Sequence, residues 1–92
     1  MSFYLKDPQS RVDYAMDWSG DLGAQTIAES AWSISPEEAG GVVVDSASFD
    51  NNRSTARLSG GVIGHVYQIG NRVTLSDGRI DERSILLRVE NK

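Results

Sequence analysis

The last third of the chain alternates between apolar and polar residues with a period of two, in two consecutive runs. The first run covers residues 65–75 and the second covers residues 84–89. This period is typical of β-strands that bury one face, because successive side chains of a strand point to opposite sides. Asp77-Gly78 lies between the runs, and glycine there supplies the positive φ angle that tight hairpin turns require. The pattern predicts a β-hairpin and favours a fold made of strands.

Earlier segments have the same strand-like pattern and are separated by turn signals. They cover residues 12–18, 27–34, 42–48 and 54–58, whereas residues 21–31 allow at most one helical turn. Six or seven short strands with turns between them predict an all-β fold, an antiparallel β-sandwich.

The chain is long enough for one domain with one thin core. Its 92 residues would not give two halves enough apolar surface to fold separately. Residues 1–10 contain Asp7-Pro8 near their end, and proline cannot donate a backbone hydrogen bond within a strand. We therefore expect residues 1–10 to form a flexible N-terminal arm and residues 11–92 to form a single sandwich domain.

Charge and composition argue against several classes of partner. The formal net charge is −4, and the nine Lys and Arg residues are scattered, whereas nucleic-acid binding needs a clustered basic face. No apolar stretch approaches the length of about 18 residues that a membrane span requires. We expect neither nucleic acid nor membrane as a partner, and we expect synthesis in a cytoplasm.

Residues 74–89 hold six charged side chains around one glycine, a pattern that could form a metal loop, a catalytic acid cluster or a plain turn. A calcium loop needs several oxygen ligands before its glycine, but only Ser76 and Asp77 directly precede Gly78. Asp81 and Glu82 point to opposite faces of a strand, so they cannot share a proton as an acid and base pair. His65 is the only histidine. The sequence predicts no catalytic residue, no metal site and no cofactor, and therefore no enzyme.

The segment Ser59–Tyr67, SGGVIGHVY, is glycine-rich but leads into a strand, whereas a phosphate-binding loop leads into a helix. Its glycines predict a sharp corner between two sheets. The position of Tyr67 after this corner is similar to the tyrosine corner of immunoglobulin-like sandwiches, where the phenol bonds to corner backbone. The two tryptophans, Trp18 and Trp32, suit a thin core, and an exposed pair that binds sugar or peptide remains the alternative.

Four stretches together resemble a family of small bacteriophage and prophage proteins encoded among virion structural genes. They are YLKDP, DYAMDW, TIAESAWSI and LSGGVIGHVYQIGNRVTLSDGRIDERSILLRV. The resemblance covers nearly the whole chain and is most specific over residues 58–89. It implies an immunoglobulin-like or fibronectin III-like sandwich that serves as an adaptor near the tail or at the head-tail junction.

The resemblance and the terminal residues together give the functional expectation. We expect a non-enzymatic virion protein that binds other virion proteins and is a monomer in isolation. Phe3, Tyr4 and Leu5 place three apolar side chains on the terminal arm, and we expect them to contact a partner. The alternative is a carbohydrate-recognition module of a phage tail, which would use loop ends and exposed tryptophans.

Overall fold

The computed structural model describes residues 2–91, and it places every side chain in this range except those of Ser2, Phe3 and Asp21. The described residues form seven strands and one helical turn. The strands are β1 (Ser2–Lys6), β2 (Val12–Asp17), β3 (Ile27–Ser35), β4 (Val43–Phe49), β5 (Arg53–Ser59), β6 (Val66–Leu75) and β7 (Ile80–Val89), and the turn is α1 (Ser19–Leu22).

The strands form two sheets that pack as a sandwich, which confirms the predicted all-β fold class. Sheet A has the order β1-β7-β6-β3 and sheet B has the order β2-β5-β4. All pairs are antiparallel except β1 with β7, which is parallel. In the constant-type immunoglobulin arrangement the first strand lies in the same sheet as the second. Here β1 lies in sheet A, where it pairs with the last strand, whereas β2 lies in sheet B.

The core consists of the inward faces of β6 and β7 packed against β2 and β5. The predicted alternation is confirmed, because every second residue of β6 from Tyr67 to Leu75 and of β7 from Ile85 to Val89 is buried. The inward residues are Tyr67, Ile69, Asn71, Val73 and Leu75 on β6 and Ile85, Leu87 and Val89 on β7. Met16, Trp18, Ala56 and Leu58 face them from the side of sheet B.

Two tight turns are located where the glycines predicted them. Gly78 has a φ of 92° and donates its N–H to the Leu75 carbonyl at 2.9 Å, which closes the β6-β7 hairpin. Gly60 and Gly61 have φ values of 78° and 119° at the corner where the chain crosses from β5 to β6. A Cβ on Gly61 would lie 2.5 Å from a methyl carbon of Val89, so only glycine fits there without a shift.

The N-terminal segment is part of the sheet over most of its length. The sequence placed residues 1–10 in an arm outside the sandwich, whereas residues Ser2–Lys6 pair with residues 85–89 of β7. Lys6 is only 1% exposed, and its ammonium donates to the carbonyls of Gly60 at 2.7 Å and Asp7 at 2.8 Å. These bonds attach β1 to the glycine corner. The flexibility of this segment stays a prediction, and Met1 and Lys92 lie outside the described residues.

Candidate interaction surfaces

The predicted partner-binding residues lie on one edge strand and point to different sides. Tyr4 points inward, and its ring contacts the ring of Tyr14 edge-to-face with centroids 5.1 Å apart. Leu5 points outward and is 50% exposed. The side chain of Phe3 lies outside the described part of the structure, where only its backbone pairing with Leu86 is placed. Of the two side chains that the structure describes here, that of Leu5 offers an apolar group to a partner on the outer face.

Leu5 belongs to a small apolar area on the outer face of sheet A. Leu5 pairs with Arg88 on β7, and Arg88 pairs in turn with Val66 on β6, which is 39% exposed. Leu86, two residues before Arg88, lies on the same face, and Arg88 forms an ion pair with Glu90. We call Leu5, Val66 and Leu86 the outer patch. An apolar area bordered by a charge is typical of surfaces that contact other proteins.

A second surface lies at the opposite side of the sandwich, between the edge strands β3 and β4. It is an open groove of about 380 Å³. Its lining consists of Trp32, Ser33, Ile34, Glu37, Glu38, Val42, Val43 and Val44. We call it the β3-β4 groove. Trp32 and Ile34 are only partly buried there, so the groove combines accessible apolar surface with two carboxylates at one end.

The two tryptophans occupy different environments, so the alternatives of core packing and exposed binding have a separate answer for each residue. Trp18 is fully buried and its indole N–H donates to the Asn71 side-chain oxygen at 3.0 Å. Trp32 lines the β3-β4 groove, and its indole N–H donates to the Ser54 hydroxyl at 3.1 Å. Trp18 is therefore a core residue and cannot stack on a sugar. Trp32 is held in one orientation while part of its ring stays accessible.

A polar network connects the tryptophans through the core, and the sequence analysis missed it. The Asn71 amide nitrogen donates to the Ser30 hydroxyl at 2.9 Å, and Ser30 and Ser54 share a hydrogen bond of 2.5 Å. The path from Trp18 to Trp32 thus crosses both sheets. Its signal in the sequence was Asn71, a polar residue at an inward position of an otherwise apolar alternation.

The tyrosine corner is present and extends to the β3-β4 groove. The Tyr67 hydroxyl accepts the Val62 backbone N–H at 3.0 Å and donates to a Glu38 carboxylate oxygen at 2.8 Å. His65 Nδ1 lies 2.7 Å from the same oxygen. The hydrogen bond from Tyr67, followed by that from His65, lowers the pKa of Glu38. Burial is the main reason that the pKa of Tyr67 is raised. Glu38 is therefore an anion at the end of the groove.

The three charged residues near the start of β7 lie at the surface of sheet A. Asp81, Glu82 and Arg83 are all exposed, and Glu82 forms an ion pair with Arg72 across the sheet at 3.3 Å. Arg83 also contacts the other sheet, because its guanidinium lies 4.4 Å from the Trp18 ring centroid and donates to the Asp17 carbonyl at 3.0 Å. Arg83 thus connects the two sheets at one end of the sandwich.

Residues 2–91 show neither a cluster of side chains suited to a metal ion nor a membrane-spanning helix. No group of three or more His, Asp or Glu side chains in this range is arranged to hold a metal ion. No helix in the described part of the chain is long and apolar enough to cross a membrane, since α1 has four residues.

Comparison with known proteins identifies the family. A sequence model described as podophage GP4 fiber-tail adaptor protein gp77 matches residues 6–88, which include all of β2 to β6 and nearly all of β7. None of the curated proteins compared with the chain matches it. The match confirms the resemblance to small virion structural proteins of phages. The chain belongs to the family of the podophage GP4 fiber-tail adaptor protein gp77.

Proposed function

We propose that this protein is a non-enzymatic adaptor that holds a tail fiber on the phage tail through protein-protein contacts alone. The family description names fiber and tail, which favours the tail over the head-tail junction among the positions that the sequence left open. In this proposal the chain is made in the host cytoplasm, is a monomer until assembly, and then becomes part of the virion.

The observation that carries the proposal is the presence of two separate apolar surfaces on one rigid sandwich. The outer patch is centred on β1 and β7, and the β3-β4 groove lies along β3. β1 and β3 are the two edges of sheet A, so about three strand spacings, roughly 14 Å, separate them. An adaptor needs two surfaces that different partners can occupy at the same time, and this arrangement supplies them.

Leu5 is the residue through which we propose that the N-terminal strand contacts a partner. Its exposed side chain lies at an edge of the sheet, where a neighbouring chain can bury it without displacing the core. Tyr4 contributes indirectly, since its contact with Tyr14 holds β1 against the edge of sheet B. Phe3 belongs to the same strand, and we propose it as a further contact.

The experiment is a bridging assay with the purified chain, the purified tail fiber and purified tails of the same phage. Fibers should sediment with tails only when the chain is present, and neither partner should require an additional factor. The variant Leu5→Asp should reduce bridging at least tenfold, because it places a charge in the outer patch. Ser48→Asp, which puts the same charge on an exposed position of β4 outside both surfaces, is the control. Fibers that attach equally well without the chain would refute the adaptor role.

A further inference from the structure

The outer edge of β3 has unpaired backbone groups over a regular stretch of strand. β3 is the last strand of sheet A, and its register with β6 is uninterrupted from Ser30 to Ser35. In an antiparallel pair, the backbone N–H and C=O groups of alternate residues point to the neighbouring strand. The Leu75 N–H donates to the Arg79 carbonyl, so the odd-numbered residues of β6 face β7 and its even-numbered residues face β3. By this alternation the N–H and C=O groups of Ser30, Trp32 and Ile34 point to the open edge.

This edge lacks the features that usually keep sheet edges from pairing with other chains. Proteins protect their edges with charged side chains, prolines and bulges. β2 carries Asp13 and Asp17, β4 has a register shift at Asp45, and the uncovered start of β7 contains Asp81 and Glu82. The stretch Ser30–Ser35, SAWSIS, has no charge, no proline and no bulge. Ser30–Ser35 therefore carries none of these protections.

The groove beside this edge has the properties of a binding site for an extended segment. Trp32 and Ile34 present apolar surface, and the bond from the Trp32 indole to Ser54 holds the ring in place before any partner arrives. Glu37 and Glu38 lie at one end. Glu38 already accepts hydrogen bonds from Tyr67 and His65, whereas Glu37 is exposed, and no Lys or Arg is among the described residues that line the groove. The charge at this end is complementary to a basic side chain.

We infer that β3 accepts an extended segment of a partner virion protein as an added strand of sheet A, with apolar side chains against Trp32 and Ile34 and a Lys or Arg against Glu37 and Glu38. The inference rests on the proposed adaptor function and specifies one of its two contacts. About six residues of the partner would pair along Ser30–Ser35, which corresponds to roughly 20 Å of strand. Backbone bonds supply the affinity, and the acidic end selects the basic residue.

Amide hydrogen exchange of the chain, alone and with either the purified tail fiber or the purified tail protein, tests the added strand. With one of these partners the amides of Ser30, Trp32 and Ile34 should exchange at least tenfold more slowly. The amides of Ala31, Ser33 and Ser35 already face β6 and serve as the internal control. Binding that leaves the three edge amides unprotected would overturn the inference but not the adaptor function. No binding to either partner would overturn both.

Matched charge reversals test the acidic end of the groove. Glu37→Lys should weaken the same binding by roughly tenfold, because it replaces attraction by repulsion at the basic residue. Glu29→Lys makes the same change of net charge at the other end of β3, outside the groove, and should change the affinity less than twofold. Both residues are exposed, so both variants should fold. Equal affinities of the two variants would overturn the proposed basic contact.

Discussion

The indole N–H of Trp18 donates a hydrogen bond of 3.0 Å to the side-chain oxygen of Asn71 inside the core. Trp18 directly follows β2 of sheet B, and Asn71 lies on β6 of sheet A, so this bond joins the two layers. Asn71 also donates to Ser30 and to the Ala31 carbonyl, which leaves its amide fully partnered. A buried polar network of this kind specifies one alignment of the layers, because any other leaves polar atoms unpaired.

Replacing Asn71 should therefore destabilise the fold more than an exposed substitution on the same strand. In Asn71→Leu the Trp18 indole loses its acceptor while it stays buried, and the Ser30 hydroxyl loses a donor. We expect a loss of about 2–4 kcal/mol in the free energy of unfolding, measured by urea denaturation. Gln68→Leu on the outer face of β6 should change it by less than about 0.5 kcal/mol. An Asn71→Leu variant as stable as the wild type would show that the network contributes nothing.

Two glycine-to-alanine substitutions near the corner should destabilise the fold to different extents, although both strain the backbone. Gly61 and Gly64 both have positive φ, but a Cβ would meet Val89 only at Gly61, whereas it would find open space at Gly64. Gly64→Ala should cost about 1 kcal/mol from backbone strain, and Gly61→Ala about 1–3 kcal/mol more from the clash. Thermal unfolding of the two variants makes the comparison. Equal melting temperatures would contradict the close approach of Val89.

The Glu38 carboxylate should make stability depend on acid pH. Its pKa is lowered in the folded protein, first by the Tyr67 hydrogen bond and then by that from His65. The unfolded chain therefore takes up this proton at a higher pH than the folded one, and the stabilising contribution is present above the ordinary value of 4.5 and lost as the pH falls through the lower folded value. Glu38→Gln should remove this part of the pH dependence between about pH 5 and pH 3. Unfolding measured at several pH values would contradict this if the free energy of unfolding of the variant fell with pH as steeply as that of the wild type.

Lys6 should control how firmly β1 is held. In Lys6→Ala the Gly60 carbonyl loses the donor at 2.7 Å, and the strand loses its attachment to the corner. By strand alternation the amides of Leu86 and Arg88 on β7 face β1, and we expect them to exchange at least tenfold faster in this variant. The amides of Gly70 and Arg72, which face β3, should be unaffected. Unchanged exchange at Leu86 and Arg88 would show that β1 does not depend on Lys6.

The local parts of the fold could be predicted from the sequence because their signals are local. The period of two in β6 and β7, the turn at Gly78 and the corner at Gly60 each depend on residues that are neighbours along the chain. The pairing of β1 was not predictable in this way. Its partner, β7, is about eighty residues away, and a parallel pair has no hairpin turn to announce it.

The candidate surfaces were harder to predict for the same reason. Tyr4 and Leu5 were expected to act together on an arm, but strand geometry separates them, and Tyr4 packs against Tyr14. Lys6 gave no sign of its burial, because lysine is almost always exposed unless its charge is satisfied. The β3-β4 groove requires two strands from different sheets to lie side by side, and no residue pattern along one strand indicates this.

Cross-linking mass spectrometry of the assembled phage particle tests whether one sandwich contacts fiber and tail at the same time. We predict carboxylate-directed cross-links from Glu90, which is paired with Arg88 beside the outer patch, to one of these two proteins. We predict cross-links of the same kind from Glu37, at the end of the β3-β4 groove, to the other. Cross-links from both positions to a single protein, or to neither fiber nor tail, would contradict this prediction.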